Sequence, residues 1–172
     1  MRREVCTLFN WYALYVKSRH EFVIQDQLFK KEIGTYLPVV QRLRQWKDRR
    51  KQIRFPLFPG YLFVNIPPDP ETFLSVLKVK GVLSFVSAEP GYPTAVPSEE
   101  IYSLKLLLEN NKTIDVFPNI KEGTRVRVKR GPLQGAEGVL LNKDDQYMFL
   151  ININILGRSV GVRIYVDDVE VI

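Results

Sequence analysis

The most constraining stretch of the chain is Gly131-Pro132-Leu133-Gln134-Gly135-Ala136-Glu137-Gly138, set between Arg125-Val126-Arg127-Val128 and Val139-Leu140-Leu141. Two alternating apolar segments joined by a turn with three glycines and a proline describe a tight β-hairpin. Glycine reaches backbone conformations that other residues avoid, and proline presets the turn. Short strand patterns follow at 149–153, 160–165 and 169–172, with the loop Leu156-Gly157-Arg158-Ser159 between them. Residues 121–172 therefore read as a barrel of about five short strands. Val126, Val128, Val139, Ile151, Ile153, Val160 and Val162 load this segment with β-branched side chains, which favour strands over helices.

Upstream, strand and helix signals alternate. Residues 10–17 alternate strictly, with Tyr12, Leu14 and Val16 on one face and Trp11, Ala13 and Tyr15 on the other. The helix predicted at 20–31 carries Glu21 early and Lys30-Lys31 late, with Gly34 as its stop. Segments 35–43 and 51–55 read as strands joined by a turn near Asp48, and Tyr61–Ile66 is a third strand. After Pro67-Pro68-Asp69-Pro70 come a short helix at 71–78, a strand at 82–86, and a last helix opened by Pro97 with Ser98 as N-cap. The order βαββαβα gives an α+β, ferredoxin-like sheet with an added helix. The polar stretch 111–120 is the predicted linker, dividing the chain into 1–110 and 121–172.

Charge is distributed unevenly. Arg42, Arg44, Lys47, Arg49, Arg50, Lys51 and Arg54 are opposed within their segment by Asp48 alone, so this stretch carries the chain's entire formal +6. Concentration on one hairpin, with Trp46 among the charges, points to a polyanion contacted mainly through its phosphates. Residues 121–172 hold eight basic and seven acidic side chains. A nearly neutral barrel lacks the electrostatic footprint of a nucleic-acid binder and suits protein contacts better.

With one histidine and one cysteine (Cys6), the chain has few means for transition-metal ligation or nucleophile–base chemistry, and no cofactor or catalytic role is expected. No apolar run approaches a membrane span, and the polar start argues against export. A cytoplasmic monomer is expected. Leu57-Phe58-Pro59-Gly60, bounded by Pro56, holds apolar residues that a turn should leave partly exposed, the mark of a protein partner.

Trp11-Tyr12-Ala13-Leu14-Tyr15-Val16-Lys17, Pro56-Leu57-Phe58-Pro59-Gly60-Tyr61-Leu62-Phe63-Val64 and the Val-Pro-Ser-Glu-Glu helix start resemble the NGN domain of NusG-family transcription elongation factors. The Gly-Pro-x-x-Gly-x-x-Gly turn and Ile155-Leu156-Gly157-Arg158 resemble the KOW module that follows it in that family. The Pro-Leu-Phe-Pro form looks more like the specialised RfaH-like or UpxY-like antiterminators. The resemblance implies an NGN domain of one antiparallel sheet and three helices, then an SH3-like five-stranded KOW barrel. It also implies docking on the clamp helices of the largest bacterial RNA polymerase subunit through Leu57, Phe58, Pro59, Tyr61, Trp11 and Tyr15. Lys17, Arg19 and His20 would face the non-template strand, and the Arg42–Arg54 hairpin, with Arg42, Arg44, Lys47, Arg49, Arg50 and Lys51, would meet upstream or non-template DNA. Ile155, Leu156 and Arg158 would recruit ribosomal protein NusE. Leu156 stands where housekeeping members commonly carry an aromatic, which argues against Rho. A factor of this kind bridges the polymerase cleft and suppresses pausing and termination.

A rival reading rests on residues 60–66, which partly resemble an RRM signature whose aromatics stack RNA bases. Pro59, Leu62 and Ile66 depart from it. The rival is an RNA-binding or ribosome-associated KOW protein.

Overall fold

A computed structural model describes residues 8–45, 48–110, 114–118, 122–143 and 146–172. Cys6, Trp46, Lys47 and the predicted linker residues 111–113 and 119–120 lie outside the described residues. The chain divides into two compact units, Met1–Leu37 with Phe58–Val96, and Pro38–Leu57 with Pro97–Ile172.

The first unit holds strands β1 (Asn10–Val16) and β2 (Gly34–Tyr36) with helix α1 (Glu21–Lys30) between them. The second unit takes the hairpin β3 (Val39–Gln45) and β4 (Arg50–Pro56), after which β5 (Tyr61–Ile66), α2 (Pro70–Leu77), β6 (Val82–Phe85) and β7 (Ala95–Val96) return to the first. Its antiparallel sheet runs β2-β5-β1-β6, with β7 also pairing β1. Tyr12, Leu14, Leu62 and Val64 form its aliphatic face and are fully or almost fully buried. Tyr12 meets Phe73 of α2 edge-on at 5.2 Å, and Ile24 and Leu28 of α1 add to the core. At about 25 cal/mol per Å² of apolar surface removed from water, such clusters dominate folding. Asp69 caps α2, accepting from the Thr72 N–H at 3.0 Å and from the Thr72 hydroxyl.

Two local expectations are corrected. The single strand expected at 35–43 is two: Gly34–Tyr36 pairs with β5, whereas Val39 onward pairs with β4. Pro38 has no N–H to donate to a ladder, and its carbonyl instead accepts from Leu57 N at 2.8 Å. The stop of α1 is not Gly34, which already belongs to β2. The chain leaves the helix at Lys31, and Glu32 takes the left-handed turn at φ +59.

In the second unit, α3 (Ser98–Asn110) begins at Ser98 itself, one residue earlier than an N-cap there would allow. The barrel comprises β9 (Thr124–Val128), β10 (Glu137–Lys143), β11 (Gln146–Ile153), β12 (Arg158–Arg163) and β13 (Val169–Val171). A sixth strand, β8 (Asp115–Pro118), comes from the segment read as linker and pairs with β12, giving the order β13-β9-β10-β11-β12-β8. The Phe117 ring sits over Gly161, where a Cβ would approach it to 3.2 Å. Gly138 crosses so close to Leu150 and Phe149 of β11 that any side chain there would drive into them. Helix α3 packs on β10 and β11, with Ser103 Oγ accepting from Glu137 N at 3.0 Å. Among the described residues, no helix is long and apolar enough to cross a membrane.

Candidate protein and nucleic-acid interfaces

The Leu57–Gly60 turn is held from several directions. Gly60 sits at φ +82, a conformation glycine adopts without strain, and donates its N–H to Glu21 Oε1 at 2.8 Å. Its carbonyl accepts from Val16 N at 2.8 Å, and Tyr61 N closes the turn on Phe58 O at 3.0 Å. Glu21 is only 3% exposed, so its carboxylate is spent on this backbone amide rather than on solvent. The sequence placed Glu21 as a favourable charge at a helix start and missed this bond, which joins residues 39 apart. An acid at the first turn of a helix beside a Pro-Gly turn was the available signal.

The expectation of an exposed Leu57-Phe58 patch is corrected. Leu57 is 7% and Phe58 4% exposed. Once Gly60 folds back under α1, the turn directs both side chains inward and leaves Pro59 outside. What remains on the surface lies on the other face of the sheet. Register places Tyr15 opposite Tyr61 and Ala13 opposite Phe63, with Trp11 two rungs further along β1. The Tyr15 and Tyr61 rings lie 5.4 Å apart, and Tyr15 is 43% exposed. Trp11 meets Tyr36 edge-on at 6.4 Å, and both are half-buried. Phe63, at the centre of this face, is 0% exposed. Of the predicted docking residues, Tyr15, Tyr61 and Pro59 keep exposed surface, Trp11 is half-buried and set apart from Tyr15 by the fully buried Ala13 and Phe63, and Leu57 and Phe58 are buried beneath the turn.

Lys17, Arg19 and His20 are all exposed in the β1–α1 loop. Arg19 takes φ +66, Lys17 N donates to Gly81 O at 2.8 Å, and the His20 ring Nδ1 lies 3.0 Å from Ser18 O. These bonds fix the loop while leaving three cationic or polar tips in solvent.

Antiparallel register sorts the hairpin's charges onto two faces. Arg44 lies opposite Lys51 and Arg42 opposite Ile53, whereas Gln45 lies opposite Arg50 and Gln41 opposite Arg54. Directly paired residues share a face, so Arg42, Arg44 and Lys51 stand together, with Arg50 and Arg54 on the reverse. Arg49 precedes β4 at the exposed tip.

In the barrel, Ile155 and Leu156 are half-buried in a 3-10 turn, Asn154–Leu156, that closes through Gly157 at φ +59. Arg158 is exposed where β12 begins. Asn154 anchors this turn by donating from N and Nδ2 to the Glu100 carboxylate at 3.3 and 2.6 Å. Burial pushes the Glu100 carboxyl above its ordinary range, while the two Asn154 donors pull against that shift.

An antiparallel α+β sheet module whose chain runs on into a small barrel is the NGN–KOW architecture. Residues 9–105 match the family model described as "Transcription termination factor nusG". The chain belongs to the NusG family. It is 26% identical to the transcription termination/antitermination protein NusG of Borreliella burgdorferi, over 93% of this chain and 97% of the relative. It is 28% identical to the protein of the same name from Staphylococcus carnosus, over 94% of each. The solved structure "Domain interaction in Thermotoga maritima NusG" shares the fold at a TM-score of 0.53 and 24% identity, covering 95% of this chain and 97% of that one.

Proposed function

We propose that the chain is a transcription elongation and antitermination factor that binds bacterial RNA polymerase through its first unit. The observation that carries this reading is the part-exposed Tyr15–Tyr61 pair, presented next to a turn that Glu21 and Val16 hold rigid. A preorganised aromatic patch suits a helical partner, because aromatic anchors carry much of the energy of protein interfaces and little ordering cost remains. The clamp helices of the largest polymerase subunit are the proposed partner. Lys17, Arg19 and His20 would meet the non-template strand, and Ile155, Leu156 and Arg158 would recruit NusE. Bridging the cleft in this way would disfavour pausing and termination.

The RRM-like rival needs exposed aromatics at the sheet centre. Phe63 is fully buried and Leu62 lies among the aliphatic core, so bases have no stacking platform there.

The test is binding of the full chain to an isolated clamp-helix fragment. Tyr15→Ala with Tyr61→Ala should weaken it by about 30-fold or more, one aromatic anchor being worth about 2 kcal/mol, with circular dichroism unchanged. Undiminished binding by the folded double variant sinks the patch, and capture by single-stranded RNA alone favours the rival.

A further inference from the structure

We infer that Glu21 is a positioning residue for the β1–α1 loop: through Gly60 it clips residues 17–20 shut and so holds Lys17, Arg19 and His20 in one arrangement. The inference rests on the reading of that loop as the surface that meets a nucleic-acid strand.

Both ends of the loop are tied to the same residue. Val16, just before it, donates its N–H to the Gly60 carbonyl at 2.8 Å, and Glu21, just after it, accepts the Gly60 N–H at 2.8 Å. Val16, Glu21 and Gly60 are buried, while the four residues from Lys17 to His20 are exposed. Lys17 N adds a bond to Gly81 O at 2.8 Å, and His20 N closes on Lys17 O at 3.1 Å. Of these fastenings, the Glu21 bond is the one made by a side chain, so a substitution can remove it and leave the backbone whole.

The loop needs such a clip. Arg19 sits at φ +66, a left-handed conformation that is costly for a residue with a Cβ and persists where its surroundings impose it. A capping side chain does not fix the start of α1: His20 occupies the N-cap without a side-chain cap bond, and its ring Nδ1 lies 3.0 Å from Ser18 O instead. An acid in the first turn ordinarily serves the helix's own positive end. Glu21 reaches across to Gly60, 39 positions away.

The sign of the effect separates positioning from plain charge. A carboxylate next in sequence to three cationic or polar tips lowers the local positive potential, so its removal alone would tighten the hold on a polyanion. Loss of the clip acts in the opposite direction, because tips that have lost their arrangement must be ordered again on binding.

The experiment uses the full chain and a short single-stranded DNA, with binding followed by fluorescence anisotropy between about 50 and 200 mM salt. Glu21→Leu should weaken binding and lower the log–log salt slope by about 0.7, the equivalent of one lost single-strand contact. Glu21→Gln loses the charge but keeps an acceptor oxygen, and it should bind as tightly as the unaltered chain or more tightly. Val76→Ala empties a fully buried site in α2 and serves as the destabilised control. At a temperature where melting shows every variant folded, it should bind as the unaltered chain does. Amide hydrogen exchange reads the clip without a partner. The His20 N–H should exchange about tenfold faster in Glu21→Leu, the factor that one charge-assisted hydrogen bond supplies. Val76→Ala should leave that rate unchanged, because exposed loop amides exchange by local opening.

Binding by Glu21→Leu that is undiminished or tighter overturns the inference. So does equal weakening by Glu21→Gln, which would assign the effect to charge, or by Val76→Ala, which would assign it to overall stability. If the unaltered chain shows no salt-dependent binding, the nucleic-acid reading of the loop falls and the exchange rates decide the clip: a His20 rate unmoved by Glu21→Leu overturns it. The polymerase reading is judged separately, by the clamp-helix fragment.

Discussion

Two glycine turns in this chain hold apolar residues, and they are built in opposite ways. The Leu57–Gly60 turn is fastened by bonds from distant elements: Glu21 takes the Gly60 N–H, and Val16 gives its N–H to the Gly60 carbonyl. The Asn154–Gly157 turn closes on itself, Gly157 N to Asn154 O at 3.1 Å, with Glu100 as a long-range fastening. A Cβ on Gly60 would come within 3.5 Å of Tyr15, whereas one on Gly157 would meet nothing within 4 Å. The first turn is a fixed platform whose own apolar residues are core. The second is a local loop whose apolar residues, Ile155 and Leu156, are half-buried.

The largest test of that contrast is Phe58→Ala. If Phe58 is core, the substitution should cost about 3–5 kcal/mol of stability, the range for emptying a buried aromatic site, measured by urea unfolding. A docking residue on the surface would cost little stability and much binding. Leu156→Ala in the barrel loop should cost clearly less, because its side chain is only half-buried.

Next is the fastening itself. Glu21→Leu leaves the Gly60 N–H without its acceptor in a buried site, which costs about 1–3 kcal/mol. Glu21→Gln keeps an acceptor oxygen and should recover most of that. Equal destabilisation by Leu and Gln would show that the carboxylate's charge, not its hydrogen bond, holds the turn.

The sequence disclosed the sheet, the barrel and the charged hairpin because each depends on local pattern. Alternation in residues 10–16 and 61–66 set which face is aliphatic, and the β-branched run in 126–171 set the strands. It misjudged Phe58 because the turn that holds it is fastened at Gly60 by Glu21, a partner 39 positions away that no short-range pattern announces. It misread 115–118 as linker because an edge strand of four residues, stabilised by one aromatic over Gly161, has too short a period to stand out from polar neighbours. It grouped the hairpin's cations as one patch because only the register Arg44↔Lys51 reveals that they lie on two faces.

A smaller effect distinguishes the two glycines. Gly60→Ala should cost about 1–2 kcal/mol from left-handed strain alone. Gly157→Asn, at φ +59 with open space around it, should cost only a few tenths, since asparagine tolerates that conformation. Comparable losses at both sites would mean that the barrel loop is as tightly determined as the platform.

The smallest expected effect is at Glu100, the fastening of the second turn. Its carboxyl is raised above the ordinary 4.5, with burial the larger cause and the Asn154 donors opposing it. A folded-state pKa above the unfolded one means that the native state holds the proton more tightly. Glu100's contribution to stability is therefore fully present below about pH 4.5 and is lost as the pH rises through its raised value. Glu100→Gln is neutral at every pH and keeps an oxygen for Asn154. The unaltered chain should accordingly lose stability relative to this variant between pH 4.5 and neutrality, by under about 1 kcal/mol for a part-exposed charged contact, and the difference should then flatten. Paired urea titrations across that range measure it. If the unaltered chain instead gains on the variant as the pH rises, the Asn154 hydrogen bonds outweigh burial. The second turn would then be fastened, like the first, by hydrogen bonds to a carboxylate, and the contrast between them would be one of packing around the glycine rather than of fastening.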